Sequence, residues 1–134
     1  MLGALRPMKA KGKAPPRDGP HKEFYAGGSL AAAGRYKEGK PHGPWKHYLK
    51  SGQVRAAGKL VGGKMEGPWQ WYRENGKPLQ FGQFKGGKQA GTWKRFRKSG
   101  KLYDVGQYRD GKRVGQWKVF NDQGKLAQVK KFGK

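Results

Sequence analysis

Trp45, Trp69, Trp93 and Trp117 recur every 24 residues, and the residues around each tryptophan recur with it. A fixed period of this length is the mark of a repeat architecture and settles the kind of fold before any site is considered. With Gly34, Gly58, Gly82 and Gly106 as first residues, the unit reads G-x-Φ-x-x-G-K-x-x-G-x-W-x-x-[YF]-x-x-x-G, where Φ is Tyr36, Leu60, Phe84 or Tyr108. The ring three places after each tryptophan is Tyr48, Tyr72, Phe96 or Phe120. Phe24, Gly28 and Leu30 fit the second half of a preceding copy and Phe132 fits the Φ position of a following one, so the array carries half units at both ends. The expected organisation is a disordered basic leader over residues 1–20 and a repeat array over residues 21–134, with copies starting at 34, 58, 82 and 106.

With 24 glycines and 34 % hydrophobic residues in a chain of 134, a thick globular core is out of reach. A repeat array needs none, because each unit buries its rings against its neighbours. Each glycine inside a helix costs about 1 kcal/mol relative to alanine, so a helical unit is excluded. Glu38-Gly39, Gly62-Gly63, Gly86-Gly87 and Asp110-Gly111 are tight-turn dipeptides, able to take the positive φ that antiparallel hairpins require. Second turns end at Gly52, Gly76, Gly100 and Gly124. Two turns per unit predict two strands per unit, and an all-β, elongated antiparallel meander of successive hairpins.

One strand is expected around each tryptophan, over residues 44–49 in the first copy. The other crosses the copy boundary from Gln53 through Gly58 to Leu60. By alternation Val54, Leu102 and Leu126 share a face with Φ, with Leu79 substituting where Pro78 interrupts. The expected core is Tyr36, Trp45, Tyr48, Leu60, Trp69, Tyr72, Phe84, Trp93, Phe96, Tyr108, Trp117 and Phe120. A spacing of three puts a tryptophan and its following ring on opposite faces of an ideal strand, so either a bulge re-aims one ring or both faces are covered. The first glycine of each unit and the one two places before each tryptophan lie inside strands, where glycine otherwise weakens pairing. An aromatic ring of the adjacent hairpin over the bare backbone is the expected reason. A phosphate loop would need a strand-to-helix context that this pattern lacks.

The unit resembles the MORN repeat in its variant form, found in bacterial proteins many of which carry the label YwqK-type antitoxin. The resemblance covers about residues 24–132. It implies an elongated sheet of hairpins acting as a binding or scaffolding module, with protein or phospholipid partners and, through the label, an antitoxin-like role.

Charge is the second constraint. The chain carries a formal +23, and residues 28–134 hold 25 Lys and Arg against 6 Asp and Glu, so the excess belongs to the array. Lys40, Lys64, Lys88 and Lys112 follow the turn glycine, and Lys46, Lys94 and Lys118 follow three of the tryptophans. Equivalent positions in a regular meander align, which predicts a lysine row along the turn edge and another on a face. Such rows attract polyanions: an acidic protein first, with nucleic acid or an anionic membrane surface as the alternative. Edge lysines also block sheet-to-sheet aggregation, but a net charge of about 2–8 would keep a small domain soluble.

Rings interleave with cations in Trp69-Gln70-Trp71-Tyr72-Arg73 and Trp93-Lys94-Arg95-Phe96-Arg97, a pattern shared by single-strand stacking platforms and by the core of a hairpin stack. Trp71 stands apart because its equivalents are His47, Arg95 and Val119. It and Arg95 are therefore the expected exposed contacts beside the lysines. No cysteine is present. His21, His42 and His47 show neither metal-ligand spacing nor a paired carboxylate, so the expectation is a non-enzyme without metal, cofactor or small-molecule substrate. Leu2 to Leu5 is too short for a secretory signal and no segment is long enough for a spanning helix. The expected location is cytoplasmic, or peripheral on the inner leaflet.

Overall fold

A computed structural model describes residues 18–133. Those residues form strands and turns alone: β1 (Gly19–Phe24), β2 (Leu30–Lys37), β3 (Lys40–Pro41), β4 (Gly43–Tyr48), β5 (Val54–Val61), β6 (Lys64–Tyr72), β7 (Pro78–Lys85), β8 (Lys88–Phe96), β9 (Leu102–Arg109), β10 (Lys112–Phe120) and β11 (Leu126–Phe132). They make one antiparallel sheet in which sequence neighbours pair, with the two-residue β3 set against β2. Most of the expected leader, residues 1–17, lies outside the described residues. Gly19 and Pro20 already belong to β1 and pair with Tyr36 and Arg35, so the array starts two residues before the expected boundary.

Each hairpin that contains a tryptophan closes on two residues with positive φ, as its glycines predict: Gly62 at 57° and Gly63 at 86°, Gly86 at 60° and Gly87 at 88°. Glu38 at 53° and Asp110 at 51° hold the same conformation without glycine, a region that side-chain-bearing residues seldom occupy. The opposite edge is built from turns in which Leu49, Arg73, Arg97 and Asn121 each donate a backbone N–H to the carbonyl four residues on, at 2.7–2.8 Å.

The core is a single row of indoles. Trp45, Trp69, Trp93 and Trp117 are at most 2 % exposed, although no second layer covers them among the described residues. Trp69 stands between Gly58 and Gly82 in the strand register, and a β-carbon on Gly34, Gly58, Gly82 or Gly106 would overlap the indole of Trp45, Trp69, Trp93 or Trp117 respectively. The ring that visits each glycine comes from the other strand of the same hairpin, not from the adjacent hairpin. Each indole Nε1–H then donates to the carbonyl just after that glycine, at Arg35, Lys59, Gln83 and Gln107, over 3.0–3.2 Å. The Φ rings meet the indoles edge-on: Tyr36 with Trp45, Phe84 with Trp93, and Tyr108 with both Trp93 and Trp117. Edge-to-face pairs of this kind each add about 0.5–1.5 kcal/mol beyond area burial.

The glycines two places before the tryptophans serve otherwise. Gly43, Gly67, Gly91 and Gly115 have φ of 65–87°, and a β-carbon there would meet no aromatic ring. Register slips beside them: Gly58 pairs with Trp69 while Lys59 pairs with Glu66, leaving Gly67 and Pro68 unmatched on that side. These glycines supply the backbone of a bulge.

A second slip, at the far end of each tryptophan strand, resolves the parity question. His47 pairs with Ala56 but Tyr48 pairs with Val54, so Arg55 is extra. Directly paired residues share a face, and the indole therefore faces one side while Tyr48, Tyr72, Phe96 and Phe120 face the other, half-buried. Val54, Leu102 and Leu126 pair with Tyr48, Phe96 and Phe120, so they lie opposite Φ rather than beside it. Leu79 is exposed, and Pro78 is what pairs with Tyr72. Both faces carry rings, as one of the two expected arrangements required.

Candidate functional site

The face opposite the indoles is built from simple alternation. Next to each tryptophan, Lys46, Gln70, Lys94 and Lys118 point away from the core and are exposed. In the register they alternate with apolar side chains: Lys46 with Ala57, Gln70 with Phe81, Lys94 with Val105, Lys118 with Val129. Neighbouring strands lie about 4.8 Å apart, so Lys94 and Lys118 repeat at about 10 Å, while neutral Gln70 leaves about 20 Å between Lys46 and Lys94. Beside this row runs a row of half-buried rings in which Tyr72, Phe81 and Phe96 meet edge-on, at centroid distances of 6.0 and 5.2 Å. Val54, Ala57, Gln70, Tyr72 and Lys46 line a hollow of about 400 Å³ on the same face.

Toward the turn edge the face becomes more cationic. Lys40, Lys64, Lys88 and Lys112 are exposed where expected. Three of them stand directly across from another cation: Lys37 opposite Lys40, Lys85 opposite Lys88 and Arg109 opposite Lys112. Like charges set opposite each other oppose pairing. Lys59 joins the same face. The missed cations, Lys37, Lys59, Lys85 and Arg109, are visible in the sequence once alternation is counted from the Φ residue.

Among the described residues, the paired strands put one carboxylate on this face, Glu66 opposite Lys59. It is engaged, since its Oε1 accepts the Gly86 N–H at 2.8 Å. Glu23 and Asp104 lie on the indole face, opposite Ala32 and Arg95. Glu38, Glu74, Asp110 and Asp122 sit in turns. Asp18, just before β1, also faces this side and is engaged at the Gly39 turn. Cations far outnumber carboxylates on this face, although Arg95, Arg113 and Lys130 show that they are not confined to it.

Two expected contacts fall elsewhere. Trp71 is 5 % exposed and lies between Trp69 and Trp93, at centroid distances of 5.9 and 5.7 Å with planes inclined by about 30°. Two residues beyond Trp69, it shares that residue's face and belongs to the core, so it offers no surface to a partner. Arg95 occupies the same column one unit on. Its Nε and guanidinium nitrogen grip both oxygens of Asp104, which is 3 % exposed, and that hydrogen bond raises the arginine pKa further. Arg95 is thus committed to a forked ion pair on the indole face. His47 fills the column in the first unit, 4 % exposed and stacked on Trp45; burial, with Arg55 nearby, lowers its pKa to about 4.

Arginine has a second structural use that the sequence pattern did not expose. The Arg73 guanidinium donates to the Phe96 carbonyl at 2.9 Å and that of Arg97 to the Phe120 carbonyl at 2.8 Å, each 23 residues on. Tyr25 does the same with its hydroxyl to Tyr48. These bonds stitch three of the successive junctions along the second-turn edge; Leu49 holds the same position at the fourth and has no donor to offer. No group of three or more His, Cys, Asp or Glu able to hold a metal occurs among the described residues, and no helix there is long and apolar enough to cross a membrane.

Comparison with known protein families falls on the stretch of β6 and β7. Residues 65–85 match the family model of the MORN repeat variant. The other copies follow the same 24-residue frame. No curated protein matches the chain. Among solved structures, a crystal structure of a GtfA/B complex bound to UDP and GlcNAc is similar at 16 % identity with a TM-score of 0.35, the match covering 90 % of this chain and 25 % of that one.

Proposed function

We propose that this chain is a non-catalytic MORN-type binding module whose lysine-bearing face docks an acidic protein partner. The observation that carries the reading is the excess of cations on the open face: Lys46, Lys94 and Lys118 and the turn-edge Lys40, Lys64, Lys88 and Lys112 are exposed there, and its one strand carboxylate, Glu66, is already bonded to a turn amide. Cations placed opposite one another at three turns oppose folding, an arrangement an anionic partner would relieve. Rings and aliphatic side chains alternating with those cations suit a protein surface, which combines apolar anchors with charge complementarity. An antitoxin-like role, or a scaffolding one, is a particular form of this activity. The location proposed is the cytoplasm.

The second reading is electrostatic binding of nucleic acid or anionic phospholipid, favoured by net charge alone. A stacking platform needs accessible ring faces, and burial of Trp71 removes the best candidate. Titration of labelled acidic peptide, single-stranded oligonucleotide and anionic vesicles at about 0.15 M salt separates the two. Saturable peptide binding lost on replacing Lys46, Lys94 and Lys118 supports the protein reading. Preference for oligonucleotide or vesicle over peptide defeats it.

A further inference from the structure

The turn edge repeats a small device. The ninth residue of a unit faces the lysine side and reaches the tight turn of the next hairpin, where it accepts a backbone N–H: Asp18 Oδ1 from Gly39, His42 Nδ1 from Gly62 and Glu66 Oε1 from Gly86, at 3.3, 3.4 and 2.8 Å. In the next unit this residue is Ala90, which has no acceptor to offer the Asp110 turn. A hollow of about 540 Å³ opens there, lined by Ala90, Val114, Lys85, Lys88, Arg109 and Asp110.

We infer that this hollow is a carboxylate-binding site, in which an acidic side chain of a protein partner takes the place that Glu66 fills one unit earlier. This deepens the proposed function, on which it rests, by naming where the partner's anchoring acid sits. Repetition of the fold supplies the template: the same turn backbone and the same direction of approach already hold a carboxylate at Gly86. Three cations converge on the hollow, Lys85 and Lys88 from one hairpin and Arg109 from the next. Asp110 is the one opposing charge, leaving the lining net positive by two. Ala90 and Val114 give the partner's methylenes an apolar floor. The Asp110 N–H gives its carboxylate a directional donor, and charge-assisted bonds to backbone amides are the stronger kind.

The test fills the hollow from within. Ala90→Glu restores the acceptor that Glu66 provides in the preceding unit and should occupy the Asp110 amide itself. A fluorescent oligo-glutamate peptide is titrated against wild type, Ala90→Glu, the uncharged Ala90→Gln and, as a control of equal charge change at an exposed turn, Gln123→Glu. Site occupancy predicts a loss of about tenfold or more for Ala90→Glu, the worth of a hydrogen bond to a charged group, and less than about twofold for Gln123→Glu. In amide spectra the peptide should shift Asp110 and Gly111 in wild type. The same resonances should already be displaced in Ala90→Glu without peptide.

Equal affinities for Ala90→Glu and Gln123→Glu, with Asp110 silent while the peptide still binds through the face lysines, overturn the site and leave the proposed function standing. Absence of peptide binding to any variant overturns both.

Discussion

The indole of Trp69 lies over the bare α-carbon of Gly58 and donates its Nε1–H to the Lys59 carbonyl at 3.0 Å. One side chain thus fills the space of a missing β-carbon and binds the next peptide group, and the same pair recurs at all four hairpins. That seat hides the Trp69 indole to 0 % exposure on a sheet. Gly58→Ala is expected to push the ring off its seat, costing about 1–3 kcal/mol for overpacking and about 1 kcal/mol more for the strained hydrogen bond. A lower urea midpoint with red-shifted tryptophan emission in the folded baseline would report it. An unchanged midpoint would show that the ring can slide without cost.

Trp71 gives a second test, because its place in the core replaces the exposed role its column suggested. Trp71→Ala removes a ring packed between Trp69, Phe84 and Trp93 and is expected to cost about 3–5 kcal/mol, as for other buried aromatic truncations. Equilibrium denaturation measures it. A loss below about 1 kcal/mol would mean the ring is dispensable to packing.

The history of that residue shows which parts of the molecule were legible in the chain. Period, turn chemistry and the two lysine rows follow from glycine spacing, and they are where the 24-residue frame places them. Sidedness beyond the bulges was not legible. One unmatched residue flips every later side chain to the other face, so Val54 and Leu102 changed sides and Tyr48 left the indole core. Trp71 looked exceptional because its column is variable, yet that column varies among core solutions: histidine stacked on Trp45, tryptophan in a ring stack, arginine tied to Asp104. The ninth-residue cap of the next turn was open to column-by-column alignment of Asp18, His42 and Glu66. Its role needed the register, since those residues act on a hairpin about 20 positions away in sequence.

Acid should reveal His47. Buried on Trp45, its Nε2 without a hydrogen-bond partner, it stays neutral in the fold down to about pH 4, whereas in the unfolded chain it protonates near 6.5. Between those values the unfolded state binds more protons, so stability rises with pH. The contribution is fully present above about 6.5, is lost progressively as pH falls to 4, and changes no further below. A separation of about 2.5 pH units corresponds to about 3 kcal/mol at most. His47→Val, which copies Val119 in the same column, should flatten this part of the profile. Denaturation of both proteins at pH 7 and pH 4.5 decides it, and an equal loss in the two would assign the acid sensitivity to other groups.

The forked pair of Arg95 and Asp104 sits where neighbouring units use apolar or neutral groups, so its loss should be asymmetric. Asp104→Ala removes both charge-assisted bonds, but the Arg95 side chain is 40 % exposed and water can take the partner's place, so the expected cost is about 1–3 kcal/mol, below that of breaking a fully buried pair. Replacing both residues by the pair found two strands away, Arg95→Trp with Asp104→Gln after Trp71 and Gln80, should recover most of that. A double-mutant comparison by chemical denaturation tests the claim. A double variant no more stable than Asp104→Ala would mean that this part of the sheet has been shaped around the ion pair.

The exposed cations should behave in the opposite way. Lys46, Lys94 and Lys118 project from the face away from the indoles, and substitutions at such positions usually change stability by less than about 0.5 kcal/mol. The triple change to glutamine is therefore expected to leave the urea midpoint nearly unmoved while weakening an acidic peptide and flattening its salt dependence, because exposed charges act over about a Debye length of 8 Å at physiological salt. Arg73→Ala, which removes a bond to the Phe96 carbonyl but adds no change on the lysine row, should do the reverse: lower stability by about 1.5–3 kcal/mol with little effect on the peptide. Measuring midpoint and affinity on both variants tests whether binding and folding occupy separate faces of the sheet. Parallel losses in the two would show that the lysines also hold the fold.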